Sequence, residues 1–253
     1  MSSISKYKVD ELEVLIYQNR KQLGMAAAHH VGALIKKVLK HKDEARIIFA
    51  AAASQREFFT ELLNAPDIEW KKVIAFHMDE YHTLPTSAPQ RFGNFLNSVF
   101  FRFIDFKEVY YMTEDLPAYK RLISEKPIDI CCLGIGENGH LAFNDPPVAD
   151  FNDPEVIKEV ELDEVCRQQQ VNDGEFNDIN DVPKRAVTLT VPSLLNSKYL
   201  SVVVPGHTKS SAVEETLLGE ISTHCPASIL RTHPNAKLFL DTHSSKLLKE
   251  VKS

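Results

Sequence analysis

The sequence predicts an α/β fold: a mostly parallel sheet with helices on both faces. Three observations carry that expectation. Short apolar runs bounded by turn residues recur along the chain, each the length of a buried strand. Between them lie stretches whose apolar residues repeat at helical spacing. The two kinds alternate, as in βαβ crossover units. The chain has 253 residues, 43% hydrophobic and 25% charged, which is ordinary for a globular protein. No Gly/Ser/Pro-rich linker divides it, so one domain over residues 1–253 is expected.

Leu12–Tyr17 reads as the first strand. From Asn19 to Lys42, Ala27, Val31, Leu34, Ile35, Val38 and Leu39 recur on one helical face. Arg46–Phe49 is a short strand running into small residues. Ser54 then reads as an N-cap, with Glu57 three residues later to complete a capping box. The helix it starts carries Phe58, Phe59, Leu62 and Leu63 as its buried stripe. Val73–Phe76 is a strand, Arg91–Phe101 a helix, Val109–Met112 a strand and Ala118–Ser124 a helix. Ile128–Leu133, Ala186–Leu189, Leu200–Val204 and Lys237–Leu240 complete the strands, with a helix over Ser211–Leu218.

The net charge of −6 argues against nucleic acid or an anionic membrane as partner. The longest apolar runs, such as Ile47–Ala53, are too short to span a bilayer. The N-terminus lacks the apolar core of a signal peptide. The four cysteines, Cys131, Cys132, Cys166 and Cys225, form no CxxC or zinc spacing and read as reduced, buried thiols of a cytoplasmic protein. The histidines are scattered, so neither a metal nor another cofactor is predicted.

Chemistry is expected where strands end. After Ile128–Leu133 come Gly134, Gly136 and Gly139, then His140 and, five residues on, Asp145, in a segment closed by two prolines. Glycines let the backbone turn sharply and approach a ligand closely. Asp79 and Glu80 follow another strand end. Such a pair is usually just solvated, but here it would face the same crevice with a carboxylate base. Ser54 opens a helix whose free N–H groups suit a phosphate, although capping alone explains it. Lys209 begins a helix after a fourth strand end. Arg167 lies in a polar helix where a surface arginine is the plainer reading.

Together these segments resemble the glucosamine-6-phosphate deaminase (isomerase) family. The matches are Phe76 to Pro85 (FHMDEYHTLP), Leu133 to Pro146 (LGIGENGHLAFNDP), Val182 to Leu189 (VPKRAVTL), Pro205 to Lys209 (PGHTK) and Ala227 to Pro234 (ASILRTHP). The similarity covers roughly residues 45 to 241. The Gly-rich element alone is shared with 6-phosphogluconolactonases; the MDEY and AFNDP elements favour the deaminases. The resemblance implies a modified doubly wound, Rossmann-like sheet and no cofactor. It implies conversion of an amino-sugar phosphate, glucosamine 6-phosphate first, to fructose 6-phosphate and ammonia. By the same resemblance Asp79 matches the proton-transferring carboxylate, His140 the ring-opening acid/base and Asp145 its orienting carboxylate. Ser54, Arg167 and Lys209 match phosphate-binding positions, and Ala53, Glu80 and Gly136 stand beside them as substrate-binding candidates.

The chain departs from the family pattern in three places. Asn138 stands where many members have aspartate; it exchanges no proton but can orient His140. Asp145 replaces a commoner glutamate, with a shorter reach. The phosphate loop, Ala51 to Gln55, lacks the family's glycine, and alanine resists positive φ, so either a reshaped loop or an anion held differently is expected. The segment after Pro147 lacks the stretch of allosterically activated members, so no such activation is expected. A sugar-phosphate lactonase and a non-catalytic sugar-phosphate-binding module are the alternatives. A homo-oligomer is compatible with the sequence.

Overall fold

A computed structural model describes residues 2–113 and 115–248. Eleven strands and seven α-helices follow one another: β1 (Ser5–Val9), β2 (Leu12–Tyr17), α1 (Arg20–Leu39), β3 (Ala45–Phe49), α2 (Arg56–Leu63), β4 (Val73–His77), β5 (Asp79–Glu80), α3 (Phe92–Val99) and β6 (Glu108–Tyr110). Then come α4 (Leu116–Ser124), β7 (Ile130–Leu133), β8 (Ile157–Glu161), α5 (Glu164–Asn172), β9 (Arg185–Leu189), α6 (Val191–Leu195), β10 (Tyr199–Val204), α7 (Ser210–Leu218) and β11 (Ala236–Asp241).

Eight strands form the main sheet in the order β1-β2-β11-β10-β7-β3-β4-β6. All its pairings are parallel except β1 with β2, which meets the expected doubly wound α/β class. Period-two alternation divides the core. Ile47, Phe49, Ile130 and Cys132 face α1 and α2, whereas Ile48, Cys131, Leu133 and Val202 pack on the other side with Tyr119 of α4 and Val213 of α7. The adjacent cysteines are therefore buried on opposite faces, as free thiols.

The topology fixes where a ligand can enter. From β3 the chain winds outward through β4 and β6, then returns to lay β7 on the other flank of β3 and continues outward through β10 and β11. The winding reverses between β3 and β7, and their carboxyl ends part there to leave a crevice. The loops that leave these two strands are Ala50–Ser54 and the Gly134–Asp145 segment.

Several expectations are corrected. Ala186–Leu189 does not join the parallel sheet: β9 lies in a separate antiparallel sheet of order β5-β9-β8, with Asp79 opposite Thr188. The capping box at Ser54 does not form. A 3-10 turn, Ala53–Gln55, intervenes before α2, with no side-chain cap at either start; Glu57 instead pairs with Arg20 at 3.0 Å. A cap whose carboxylate finds a cation elsewhere loses its reciprocal partner. Asn19 does cap α1, accepting from the Gln22 amide at 3.0 Å.

Candidate active site

The crevice is a partly open, concave cleft, the shape of a small-molecule site. Asp79, His140, Ser54, Gly136 and Lys209 line it, so five of the residues singled out from the sequence converge on one place.

Asp79 is brought there by two constraints. Its backbone is held in register against β9, and its carbonyl meets His77 Nδ1 at 3.0 Å. His77 Nε2 accepts the Met112 amide at 2.6 Å, so Nδ1 carries the proton and donates to Asp79. Burial lowers the His77 pKa, which keeps that neutral tautomer. The Asp79 side chain is 6% exposed, and its Oδ1 has no hydrogen-bond partner. Burial, aided by the charge of Glu80, holds its carboxyl well above the usual carboxylate range. The ordinary weak basicity expected of an aspartate does not apply here.

His140 and Asp145 lie on the opposite loop, with Nδ1 3.0 Å from Asp145 Oδ1. Asn138 ties this loop together. Its Nδ2 donates to Asp145 Oδ1 at 3.0 Å and to Asp163 Oδ2 at 2.9 Å, and its Oδ1 accepts the His140 amide at 3.1 Å. Asn138 thus bonds the carboxylate and the backbone of the pair rather than the imidazole ring. The Asp163 amide adds a bond to Asp145 Oδ2 at 3.1 Å. Burial pushes the Asp145 carboxyl up, but His140 and these donors outweigh it and hold it below its ordinary value. The shorter aspartate needs no bridging group: the loop brings it into direct reach.

Two glycines are dictated by this packing. A Cβ on Gly136 would lie 2.2 Å from the His140 ring, and Gly139 has φ of 82° with Cys225 Sγ 2.7 Å from where its Cβ would stand. Ala142, next to the pair and lining the cleft, holds φ at 51°, a strained value for a residue with a Cβ.

At the other end of the cleft Lys209 is 5% exposed. Its Nζ has no hydrogen-bond partner and stands 3.8 Å from Glu137 Oε1. Burial lowers its pKa, while Asp173 and Glu137 oppose the shift. The alanine loop beside it takes no positive φ, since Ala51, Ala52 and Ala53 are absent from the left-handed residues. It is instead anchored by Gln55, whose Nε2 donates to the Val203 carbonyl at 3.1 Å and to Ser54 Oγ at 3.2 Å. The loop therefore holds its place without backbone strain.

Three of the expected residues do not line the main cleft. Arg167 does not line the cleft; its guanidinium donates to the Ile179 and Val182 carbonyls, at 2.5 Å and 3.1 Å. Glu80 turns away too. Its carboxylate accepts the amides of Tyr81, Phe92 and Gly93 at 2.8–3.0 Å, where it holds the N-terminus of α3 beside Arg91. Ala53 faces a side recess with Gln90 rather than the main cleft. From α5 it is Gln169 and Gln170 that line the cleft. Helical spacing was the available signal: Cys166, Gln169 and Gln170 form the buried face of α5, and Arg167 falls off it.

A buried, partnerless carboxylate, a histidine–aspartate pair and one desolvated lysine around a switch-point cleft define the class, an α/β enzyme working on a small molecule by proton transfer. The chain belongs to the glucosamine-6-phosphate isomerase/6-phosphogluconolactonase family, whose model matches residues 18–239. A Bacillus cereus (strain B4264) glucosamine-6-phosphate deaminase is 30% identical over 247 residues, covering 95% of this chain and 90% of that protein. Another, from Bacillus cereus (strain G9842), is 32% identical over 225 residues, with 86% and 84% covered. Among solved structures, a monomeric glucosamine-6-phosphate deaminase superposes with a TM-score of 0.82 at 28% identity, over 92% of this chain and 99% of that one. A 6-phosphogluconolactonase from Thermotoga maritima shares the fold, with a TM-score of 0.73 at 19% identity, over 90% and 98% of the chains.

Proposed function

We propose that this protein is a glucosamine-6-phosphate deaminase: glucosamine 6-phosphate and water give fructose 6-phosphate and ammonia. The observation that carries this reading is Asp79, a buried carboxylate with a free oxygen on the cleft wall. A lactonase hydrolyses an ester and has no carbon-bound proton to move, so it would leave this costly group idle. In the proposed reaction His140, oriented by Asp145 and Asn138, moves the proton that opens the sugar ring. Asp79 takes the proton from C2 and returns it to C1. Water then attacks the imine carbon at C2 and ammonia leaves. Lys209 and the N–H groups around Ser54 hold the phosphate. Gln169 and Gln170 offer neutral amides where a second cation was expected.

The raised Asp79 pKa supports the assignment, because it makes this carboxylate a stronger base than an exposed aspartate. Free buried thiols fit a cytoplasmic place in N-acetylglucosamine catabolism, and among the described residues no helix is long and apolar enough to cross a membrane. The test is ammonia release from a panel of amino-sugar 6-phosphates and their unphosphorylated parents. Ammonia from glucosamine 6-phosphate alone supports the proposal. Ketose without ammonia would make the protein a plain isomerase, and hydrolysis of a sugar-phosphate lactone instead would move it to the lactonases.

A further inference from the structure

Cys166 stands on the buried face of α5, fully enclosed, and the proposed reaction does not use it. Its Sγ, an imidazole nitrogen of His140 and a carboxylate oxygen of Asp145 lie within 4.8 Å of one another. One nitrogen, one oxygen and one sulfur donor make a ligand set that suits zinc, and three protein ligands leave a fourth position open. His140 Nδ1 lacks a well-aligned hydrogen bond although Asp145 Oδ1 is 3.0 Å away. A metal on Nδ1 would replace this contact with a shared bond to both side chains. The three side chains are otherwise buried, and His140 alone of them borders the cleft, which gives an ion its way in.

We infer that His140, Asp145 and Cys166 form an inhibitory binding site for a thiophilic divalent cation such as Zn²⁺. Bond lengths of about 2.0 Å to nitrogen and oxygen and about 2.3 Å to sulfur require the donors to adjust by less than about an ångström each. On binding, the Cys166 thiol releases its proton to solvent and the thiolate bonds the metal. The imidazole proton moves to Nε2 so that Nδ1 can ligate, while Asp145 is already ionised. One proton leaves per metal. With the metal on Nδ1 the remaining proton is held on Nε2, the nitrogen that would exchange it with the sugar, and Asp145 no longer orients the ring, so the enzyme is silenced without loss of fold.

This inference shares residues with the proposed active site but is read without substrate. The purified protein is titrated with Co²⁺ and with Zn²⁺, following the near-ultraviolet thiolate-to-cobalt charge-transfer band and its displacement by Zn²⁺. Wild-type protein is expected to bind one equivalent with the band present, and Zn²⁺ to abolish turnover reversibly on chelation. C166S, close in volume, and C166A are expected to lose the band and to bind at least about tenfold more weakly, while keeping metal-free turnover. Absence of the band in wild-type protein overturns the site. So does equal Zn²⁺ inhibition of wild type and both variants, which would place the metal on other histidines. Should no amino-sugar phosphate be turned over at all, the spectroscopic titration still decides the metal site, so the two readings fail separately.

Discussion

Asp79 is the residue at which stability and chemistry pull in opposite directions. Its carboxyl is buried with one oxygen unpaired, a costly arrangement unless protonated. Its folded-state pKa is raised, so between the usual carboxylate value and that raised value the folded chain holds a proton that the unfolded chain has lost. Stability therefore falls as pH rises through this window and is flat above it. D79N removes the ionisable group while keeping its shape. It is expected to cut ammonia release by about 10²–10⁴-fold and to raise the melting temperature at neutral pH, with the gain vanishing in acid. An unchanged rate, or a gain independent of pH, would contradict the assignment. The neighbouring His77 was legible only as part of the FHMDEY match. Its role depends on a bond to Met112, 35 residues away, which no local pattern discloses. Asn138 was readable by contrast through the family resemblance, as an amide that can orient His140 where many members carry aspartate.

The loop that carries His140 and Asp145 and the helix α5 show what an element can and cannot reveal in sequence. His140 and Asp145 are joined by one contact and braced by one asparagine, so they are expected to work as a unit. H140Q, D145N and the double substitution should each cost a similar factor in kcat; fully additive losses in the cycle would refute cooperation. On α5 the buried face carries Cys166, Gln169 and Gln170, and Arg167 lies off it. Arg167 attracted attention by its charge, yet periodicity places Cys166, Gln169 and Gln170 inward, and the arginine is consumed by two loop carbonyls. A clean contrast follows. K209A is expected to raise KM for the phosphorylated substrate by about tenfold or more, since it deletes the one cation lining the cleft among the described residues. R167A is expected to lower the melting temperature and leave KM nearly unchanged, because it unpins the Ile179–Val182 turn. If R167A raises KM as K209A does, the arginine reaches the phosphate after all. The missed second sheet has a similar cause: β5 is only two residues long, too short to show any period.

At the scale of the molecule, the cleft exists because two sheets meet. The parallel sheet supplies the switch point, which alternation of apolar runs made predictable. The small antiparallel sheet supplies Asp79, which strand order alone did not. Thr188 joins the two halves. It stands opposite Asp79 in β9, is fully buried, and its Oγ1 accepts the Phe143 amide at 3.1 Å while donating to the Leu189 carbonyl at 3.0 Å. One hydroxyl therefore fixes the loop of His140 and Asp145 relative to the strand of Asp79. T188V keeps the volume and deletes that acceptor, leaving a buried N–H unpaired at a cost of about 1–3 kcal/mol. The proposed phosphate contacts lie on other elements, at Lys209 and the Ala50–Ser54 loop, so they should survive. The expected result is a lower melting temperature with a fall in kcat and little change in KM, restored by T188S, which keeps the hydroxyl. Loss of stability with kcat intact would mean that the two sheets hold their register without this residue and that the catalytic groups are positioned independently of each other.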